Sequence, residues 1–300
     1  MPVFFLAGPE VFHLDRAEYS GEYSPNATRY TASQPGATVA HGNMAEWVSS
    51  YWGFDLLKTV LRRIRRIARP VASPPIKDVD RDALATMDFV KSFTMTPAGR
   101  QFALIEAVRH IVKSGIPGAF VECGVWRGGS AMAIARTLMQ LNDTTRDIHL
   151  FDTFDGMTHP EDVDRKYDGR SAETMMKQYA DKETGKWFCI PESEVRENMR
   201  TTGYPMERVK FVAGKVEDTL PAASPPCIAL LRLDTDWYRS TLHELECLYP
   251  NLAPGGVLVI DDYGYFQGAK KAVDEYVDRN NLKLFLCRVD DSCRIAVKNV

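Results

Sequence analysis

The chain has 300 residues, of which 45% are apolar and 26% are charged, and this composition is typical of a globular protein. Its 37 basic and 40 acidic residues give a formal charge of −3, so we expect no nucleic-acid partner. No apolar run approaches the roughly 20 residues that span a bilayer. Six scattered cysteines without a Cys-x-x-Cys pair predict a reduced, cytoplasmic protein rather than a disulfide scaffold or a zinc site.

The first 80 residues differ from the rest, and we interpret them as an N-terminal extension to a main domain at 81–300. Residues 1 to about 45 are rich in Gly, Pro, Ser and Asn and predict irregular structure. Residues 54–69 place apolar side chains at helical spacing among Lys and Arg, which predicts a basic amphipathic helix. We expect this helix to pack on the main domain or at a subunit interface of a homo-oligomer. Attachment to a membrane surface is the alternative.

From residue 99 onward the pattern alternates between helices and short apolar strands. A closing antiparallel pair follows the last helix. The alternation predicts an α/β fold with a mainly parallel, doubly wound sheet. The connection at 156–207 is too long for an ordinary crossover and predicts extra helices that cover a site. The predicted strands are Ala119–Glu122, Ile148–Asp152, Val209–Ala213, Ile228–Asp234 and Val257–Asp261, the predicted helices include Ala131–Leu141, Leu242–Tyr249 and Ala269–Val277, and the pair is Leu284–Cys287 with Arg294–Val297.

Three strand ends carry residues that suit a nucleoside, and ligands of open parallel sheets bind beyond such ends. The first strand ends at Glu122 and runs into a glycine-rich turn, residues 123–130, that opens a helix. A carboxylate at the end of the second strand, Asp152, can accept both ribose hydroxyls. Glu217 follows the third strand, where it can meet an adenine ring. The turn alone is a weak signal, but the three ends together predict a nucleoside-type ligand.

Aspartates end the fourth and fifth strands. Asp234 follows the fourth strand, and Asp261 and Asp262 end the fifth. We expect these strands to be neighbours, which brings the three carboxylates together. They would repel each other unless a cation lies among them, and Mg²⁺ prefers such oxygen ligands. The alternative is that each aspartate caps the helix that follows it.

Several long motifs in the same order resemble the macrocin O-methyltransferase family, the metal-dependent enzymes that methylate sugar hydroxyls on macrolides and related glycosylated natural products. The resemblance runs from Ser92 to Tyr276, and the first 80 residues are not part of it. The motifs are Val121–Ser130, Phe151–Gly156, Glu217–Pro221, Leu233–Thr241 and Leu252–Gly256 followed by Asp261–Gly264.

The resemblance implies a class I, Rossmann-like methyltransferase fold with a seven-stranded, mostly parallel sheet and helices on both faces. It implies S-adenosylmethionine as the methyl donor and a glycosylated small molecule as the acceptor. It places Glu122 and Gly124 near the methionine part, Asp152 at the ribose, and Val216 and Glu217 at the adenine. It also implies Mg²⁺ bound by Asp234, Asp261 and Asp262, and further donor contacts from Met95, Thr96, Arg127 and Ser130.

The predicted reaction needs a base, because an aliphatic hydroxyl is a poor nucleophile at neutral pH. Coordination to a metal lowers the pKa of such a hydroxyl. Asp234 is the first candidate for the residue that takes the proton. Asp236 is the second candidate, because a metal-bound carboxylate is a weak base.

Other functions compete with sugar O-methylation. One alternative keeps the fold and takes a phenol or catechol as acceptor. A second is a metal-dependent glycosyltransferase that uses the Asp-x-Asp motif at Asp234 and Asp236, and a third is a non-catalytic scaffold. The segment His243–Cys247 begins like a zinc-protease helix but lacks the second histidine, so we expect an exposed helix face there.

Overall fold

The computed structural model describes residues 78–299. The chain divides into two units, Met1–Ala72 and Ser73–Val300, and the described residues lie in the second. The proposed extension at 1–80 and its basic helix at 54–69 therefore lie outside the described residues, apart from residues 78–80. The helices are α1 (Arg81–Val90), α2 (Ala98–Lys113), α3 (Gly129–Gln140), α4 (Ala172–Tyr179), α5 (Glu192–Arg200), α6 (Val216–Thr219), α7 (Tyr238–Leu248) and α8 (Gln267–Arg279). The strands are β1 (Ala119–Cys123), β2 (Ile148–Asp152), β3 (Val209–Ala213), β4 (Ile228–Leu233), β5 (Leu252–Ile260), β6 (Cys287–Arg288) and β7 (Arg294–Val297).

The strands form one seven-stranded sheet in the order β3-β2-β1-β4-β5-β7-β6. Strands β1 to β5 are mutually parallel, and β7 joins β5 in the antiparallel sense. This arrangement confirms the predicted α/β class. The order reverses between β1 and β4, and such a switch point opens a crevice at the carboxyl ends of the strands.

Two strand boundaries differ from the sequence prediction by several residues. Strand β5 begins at Leu252, five residues before the predicted start at Val257, because its register on β4 shifts and lets the strand continue through Pro254 and Gly255. Strand β6 contains only Cys287–Arg288, so the predicted strand Leu284–Cys287 is paired at its last residue alone. Leu284 and Leu286 contact the core side chains instead, whereas Phe285 between them is exposed.

Each face of the sheet is covered by helices, as the continuous burial of β1 and β4 requires. One face packs against α2 and α3 through residues such as Val108 and Ile134. The other face packs against α7 and α8 through residues such as Leu245 and Val273. Alternate residues of a strand point to opposite faces, so each site residue can be assigned to a layer by its parity along the strand.

The long connection at 156–207 contains two helices, α4 and α5, as predicted. Asp164 anchors it. The Asp164 carboxylate accepts 2.8 Å hydrogen bonds from the backbone N–H groups of Glu161 and Tyr238, so it ties the connection to the start of α7. A Cβ on Gly268 would lie 1.9 Å from Oδ1 of Asp164, so this contact also requires a glycine in α8. Within residues 78–299, no helix is long and apolar enough to cross a membrane.

Candidate active site

The parallel register places four charged residues on one face of the sheet. Glu122 on β1 is the register partner of Arg232 on β4, and Arg232 is in turn the partner of Val259 on β5. Asp234 and Asp261 follow two positions after Arg232 and Val259, so both return to the same face. Residues far apart in the chain therefore meet at the carboxyl ends of three adjacent strands.

Arg232 is the centre of this group. Its side chain is 3% exposed, and Nη1 lies 2.6 Å from Oε1 of Glu122 and 2.7 Å from Oδ2 of Asp234. Nη2 lies 2.8 Å from Oδ1 of Asp261. A buried guanidinium requires such partners, because an unpaired charge in the interior is strongly destabilising. The three carboxylates are thereby oriented by one rigid, planar group.

Asp261 lies between two arginines. Arg232 contacts Oδ1, and Arg100, from the first turn of α2, contacts Oδ2. Nε of Arg100 also binds Asp290, at 2.6 Å, in the loop between β6 and β7. Both oxygens of Asp261 thus accept from guanidinium groups, an arrangement that sequence analysis did not anticipate for a predicted metal ligand.

The structure brings Asp236, rather than the predicted ligand Asp261, close to Asp234 and Asp262. One oxygen each from Asp234, Asp236 and Asp262 lie within 4.8 Å of one another. Asp236 has a φ of 68°, a left-handed conformation that is uncommon for a non-glycine residue and marks strained backbone at functional sites. Among the described residues, no hydrogen-bond donor reaches the buried Oδ2 of Asp262.

The electrostatics of this cluster reflect crowding of like charges. Burial raises the pKa of Asp236 to about 7, against a lowering contribution from its hydrogen bond with Asp262. Burial raises the pKa of Asp262 well above its ordinary value, and the Asp236 charge adds to this effect. Carboxyl groups this close share protons unless a cation compensates them, so the donor set fits a hard divalent ion.

The glycine-rich turn lies beside the cluster. A Cβ on Gly124 would lie 2.0 Å from the carbonyl oxygen of Asp234, and one on Gly129 would lie 2.5 Å from the carbonyl of Phe93. These glycines therefore allow close backbone packing within the protein. The turn also binds Asp152, whose Oδ2 accepts hydrogen bonds from the N–H groups of Val125 at 2.6 Å and Trp126 at 3.2 Å.

The further predicted donor contacts lie around this turn. Ser130 is buried in the first turn of α3, and Met95 is 56% exposed beside it. Thr96 accepts a 2.7 Å hydrogen bond from Gln101 through its carbonyl. Arg127 points to α5, where Nη2 lies 3.0 Å from Oε1 of Glu194. Arg127 thus connects the turn to the long connection.

The predicted adenine side contains a buried acidic pair. Val216 is buried, and Oε2 of Glu217 is a buried oxygen that no donor among residues 78–299 reaches. Glu244 on α7 faces Glu217, is 0% exposed and accepts a 2.9 Å hydrogen bond from Oγ1 of Thr235. The expectation of an exposed helix face at His243–Cys247 was therefore wrong at Glu244, because this side of α7 packs on β4 and α6.

A row of aromatic rings links the turn to the long connection. The ring of Trp126 meets Phe188 edge-on at 6.3 Å, and Phe188 stacks on Trp187 at 4.6 Å. Tyr179 stacks on the other side of Trp187, at 5.9 Å. Trp126 and Phe188 have φ values of 48° and 54°, so backbone strain marks both sides of their contact. The connection therefore contacts the turn, and its predicted role in covering a substrate stays a prediction.

Sequence reasoning did not identify Arg100, Arg232 and Glu244. A signal existed for Arg232, since it is the one charged residue in the buried strand Ile228–Leu233. A charge in such a strand requires a buried partner. Arg100 and Glu244 lie on helices that contain both polar and apolar residues, so a charged residue there gave no comparable signal.

Comparison with known protein families places the chain in one of them. The profile of the family described as Macrocin-O-methyltransferase (TylF) matches residues 56–297. The chain belongs to the macrocin O-methyltransferase family. The match begins at residue 56, so it includes residues 56–80, which the motif comparison left out. Membership confirms the predicted enzyme class, an O-methyltransferase, and excludes the glycosyltransferase interpretation of Asp234 and Asp236.

Individual relatives show how far this similarity extends. The chain is 32% identical over 240 residues to 8-demethyl-8-(2,3-dimethoxy-alpha-L-rhamnosyl)-tetracenomycin-C 4'-O-methyltransferase of Streptomyces olivaceus, covering 79% of this chain and 88% of the relative. It is 33% identical over 200 residues to mycinamicin III 3''-O-methyltransferase of Micromonospora griseorubida, covering 66% and 75%. The solved structure of the O-methyltransferase NovP superposes with a TM-score of 0.61 at 30% identity, covering 69% of this chain and 83% of that one. The fold and the family are those of S-adenosylmethionine-dependent methyltransferases.

Proposed function

We propose that this enzyme transfers a methyl group from S-adenosylmethionine to a hydroxyl of a sugar on a glycosylated small molecule, with Mg²⁺ at the acidic cluster. The observation that carries the proposal is the convergence of Asp234, Asp236 and Asp262 within 4.8 Å beside the glycine-rich turn. Two relatives support a sugar-bearing acceptor, since one is named as a methyltransferase of a rhamnosyl-tetracenomycin and the other as the mycinamicin III 3''-O-methyltransferase.

The donor site is proposed to extend from Glu122 to Glu217. Each of these residues has a buried carboxylate oxygen that no hydrogen-bond donor in the described part of the chain reaches, and a polar ligand would satisfy both. Asp152 lies between them, with its Oδ1 accepting from Phe154 N–H at 2.8 Å, and its fixed carboxylate suits ribose hydroxyls. Val216 would contact the adenine, and Gly124, Met95, Thr96, Arg127 and Ser130 would surround the rest of the donor.

Asp234 and Asp262 are the proposed cation ligands, because they belong both to the sequence-predicted set and to the structural cluster. Asp261 stays a prediction as a ligand, and here it orients Arg100 and Arg232. When bound, a divalent cation polarises the acceptor hydroxyl as a Lewis acid. Charge balance supports such an ion, since this region holds two guanidinium groups and six carboxylates, namely Glu122, Asp234, Asp236, Asp261, Asp262 and Asp290.

Asp236 is the proposed proton acceptor. Asp234 is the weaker candidate, because its carboxylate binds the guanidinium of Arg232, which opposes the rise that burial causes in its pKa, and because it would also bind the cation. Burial and the nearby carboxylates Asp234 and Asp261 raise the pKa of Asp236, which makes it a better base within the same cluster. The acceptor hydroxyl loses its proton as its oxygen is methylated, and the carboxylate of Asp236 is placed to receive it.

The test is an acceptor screen with radiolabelled S-adenosylmethionine, run with Mg²⁺ and with excess EDTA. We expect methylation of glycosylated compounds that carry free vicinal hydroxyls, loss of turnover in EDTA, and recovery when Mg²⁺ is restored. Catechols and simple phenols serve as the matched panel for the competing function. Preferred turnover of that panel would overturn the sugar assignment, and full turnover in EDTA would overturn the metal assignment.

A further inference from the structure

We propose that Arg232 determines how Asp234 binds the cation, so that Asp234 offers one oxygen only and the site favours Mg²⁺ over Ca²⁺. This inference rests on the proposed function, because it assumes that Asp234 is a cation ligand. It assigns a specificity role to a residue that contacts neither the acceptor nor the cation.

One oxygen of Asp234 is already bonded to Arg232. Oδ2 lies 2.7 Å from Nη1 of Arg232, while the side chain of Asp234 is 28% exposed and reaches the cluster with Asp236 and Asp262. A carboxylate that binds a guanidinium through one oxygen presents its other oxygen to a further partner. Asp234 is therefore arranged as a monodentate ligand.

The second step is that Arg232 cannot swing away from Asp234. Its guanidinium is also held by Glu122 at 2.6 Å and by Asp261 at 2.8 Å. Asp261 is in turn held by Arg100 on α2. A planar guanidinium group bonded to three carboxylates is held in one orientation. The position of the Asp234 carboxylate is therefore set by β1, β4 and β5 together.

The third step concerns the chemistry of the two ions. Mg²⁺ requires near-octahedral geometry at about 2.0–2.1 Å and takes one oxygen from each carboxylate and several waters. Ca²⁺ takes about 6–8 oxygens at about 2.3–2.6 Å and gains from bidentate carboxylates. Withholding Oδ2 of Asp234 therefore removes a ligand atom that Ca²⁺ would use and that Mg²⁺ does not need.

A simpler role for Arg232 would be to neutralise charge, and a paired substitution separates the two roles. At pH 8, above the pKa of about 7 of Glu122, the double variant E122Q/R232Q removes one negative and one positive charge. The net charge of the region is then unchanged while the guanidinium on Asp234 is lost. The single variant E122Q is the matched control, because Gln can still accept from Arg232 and the guanidinium remains on Asp234.

The experiment is isothermal titration calorimetry of Mg²⁺ and of Ca²⁺, separately, into the metal-free wild type, E122Q and E122Q/R232Q. We expect the ratio of the Ca²⁺ and Mg²⁺ dissociation constants to be similar in the wild type and E122Q. In the double variant it should shift toward Ca²⁺ by about tenfold, the lower end of what loss of a partner of a metal ligand changes. General damage to the fold would weaken both ions and leave the ratio unchanged.

An unchanged ratio in a folded double variant, checked by circular dichroism, overturns the inference while leaving the proposed cation site standing. Absence of binding of either ion to the wild type overturns the proposed site itself. Should the double variant fail to fold, R232K gives the same test, because lysine keeps the charge but not the fork, and the expected shift is in the same direction and smaller. No shift in folded R232K then counts against the inference.

Discussion

Glu122 on β1 and Arg232 on β4 are register partners in the sheet, and Nη1 of Arg232 lies 2.6 Å from Oε1 of Glu122. The pair links the predicted methionine side of the donor site to the carboxylates at the ends of β4 and β5. Because Arg232 also binds Asp234 and Asp261, loss of the acceptor oxygen of Glu122 is expected to affect both the stability of the sheet and the site.

The first prediction concerns the pH dependence of stability. Burial, opposed by Arg232 and assisted by the charges of Asp261 and Asp152, raises the pKa of Glu122 to about 7. A carboxyl group with a raised folded-state pKa stabilises the protein fully below its unfolded pKa of about 4.3, and this contribution is lost as the pH rises through about 7. The substitution E122Q removes the group, so the free energy of unfolding of E122Q relative to the wild type should rise by on the order of 2 kcal/mol between about pH 5 and pH 8.

Urea unfolding of the metal-free protein at several pH values measures this difference. The substitution E183Q is a suitable control, because Glu183 is exposed. A difference between E122Q and the wild type that stays constant with pH would show that Glu122 does not titrate in this range.

The second prediction separates cation binding from proton transfer. D262N should weaken Mg²⁺ binding by about tenfold or more, since it removes a proposed ligand. D236N should keep Mg²⁺ affinity within a few-fold and lower kcat by about a hundredfold or more, the usual effect of removing a general base. Calorimetry gives the affinities, and turnover at saturating Mg²⁺ gives kcat. Loss of Mg²⁺ binding in D236N would instead make Asp236 a ligand.

The third prediction concerns Asp261, which sequence analysis assigns to the metal and whose oxygens contact Arg100 and Arg232 in the structure. Breaking a buried ion pair from one side destabilises a protein by about 3 kcal/mol or more. D261N should therefore lower the free energy of unfolding by this order and weaken Mg²⁺ less than D262N does. If D261N is stable but binds Mg²⁺ as weakly as D262N, Asp261 is a direct ligand.

The fourth prediction concerns the turn after β1. Gly124 has a φ of 81°, and a Cβ there would lie 2.0 Å from the backbone oxygen of Asp234. G124A should lower the free energy of unfolding by about 3 kcal/mol or more, because the backbones of the two strand ends must separate. The matched control is G99A, where a Cβ meets nothing within 4 Å and alanine favours the helix. Thermal unfolding compares the two, and equal melting temperatures would show that this contact is not rigid.

The sequence by itself determined the fold class, the strand ends and the position of the glycine-rich turn. These features depend on local patterns, namely apolar runs of strand length, helical spacing and glycines that follow a strand. The aspartates after β4 and β5 were recognisable for the same reason, because parallel strands end at one edge of the sheet.

Only the tertiary structure decided which charged groups pair. Glu122 lies on β1, Arg232 on β4 and Asp261 directly after β5, and they meet because the register aligns Glu122 with Arg232 and Arg232 with Val259. Arg100 reaches Asp261 from a helix on that face, and Glu244 is buried because α7 packs on α6 and β4. Such contacts depend on strand register and helix packing. They leave no local pattern in the chain, and Glu122 and Arg232, for example, are 110 positions apart.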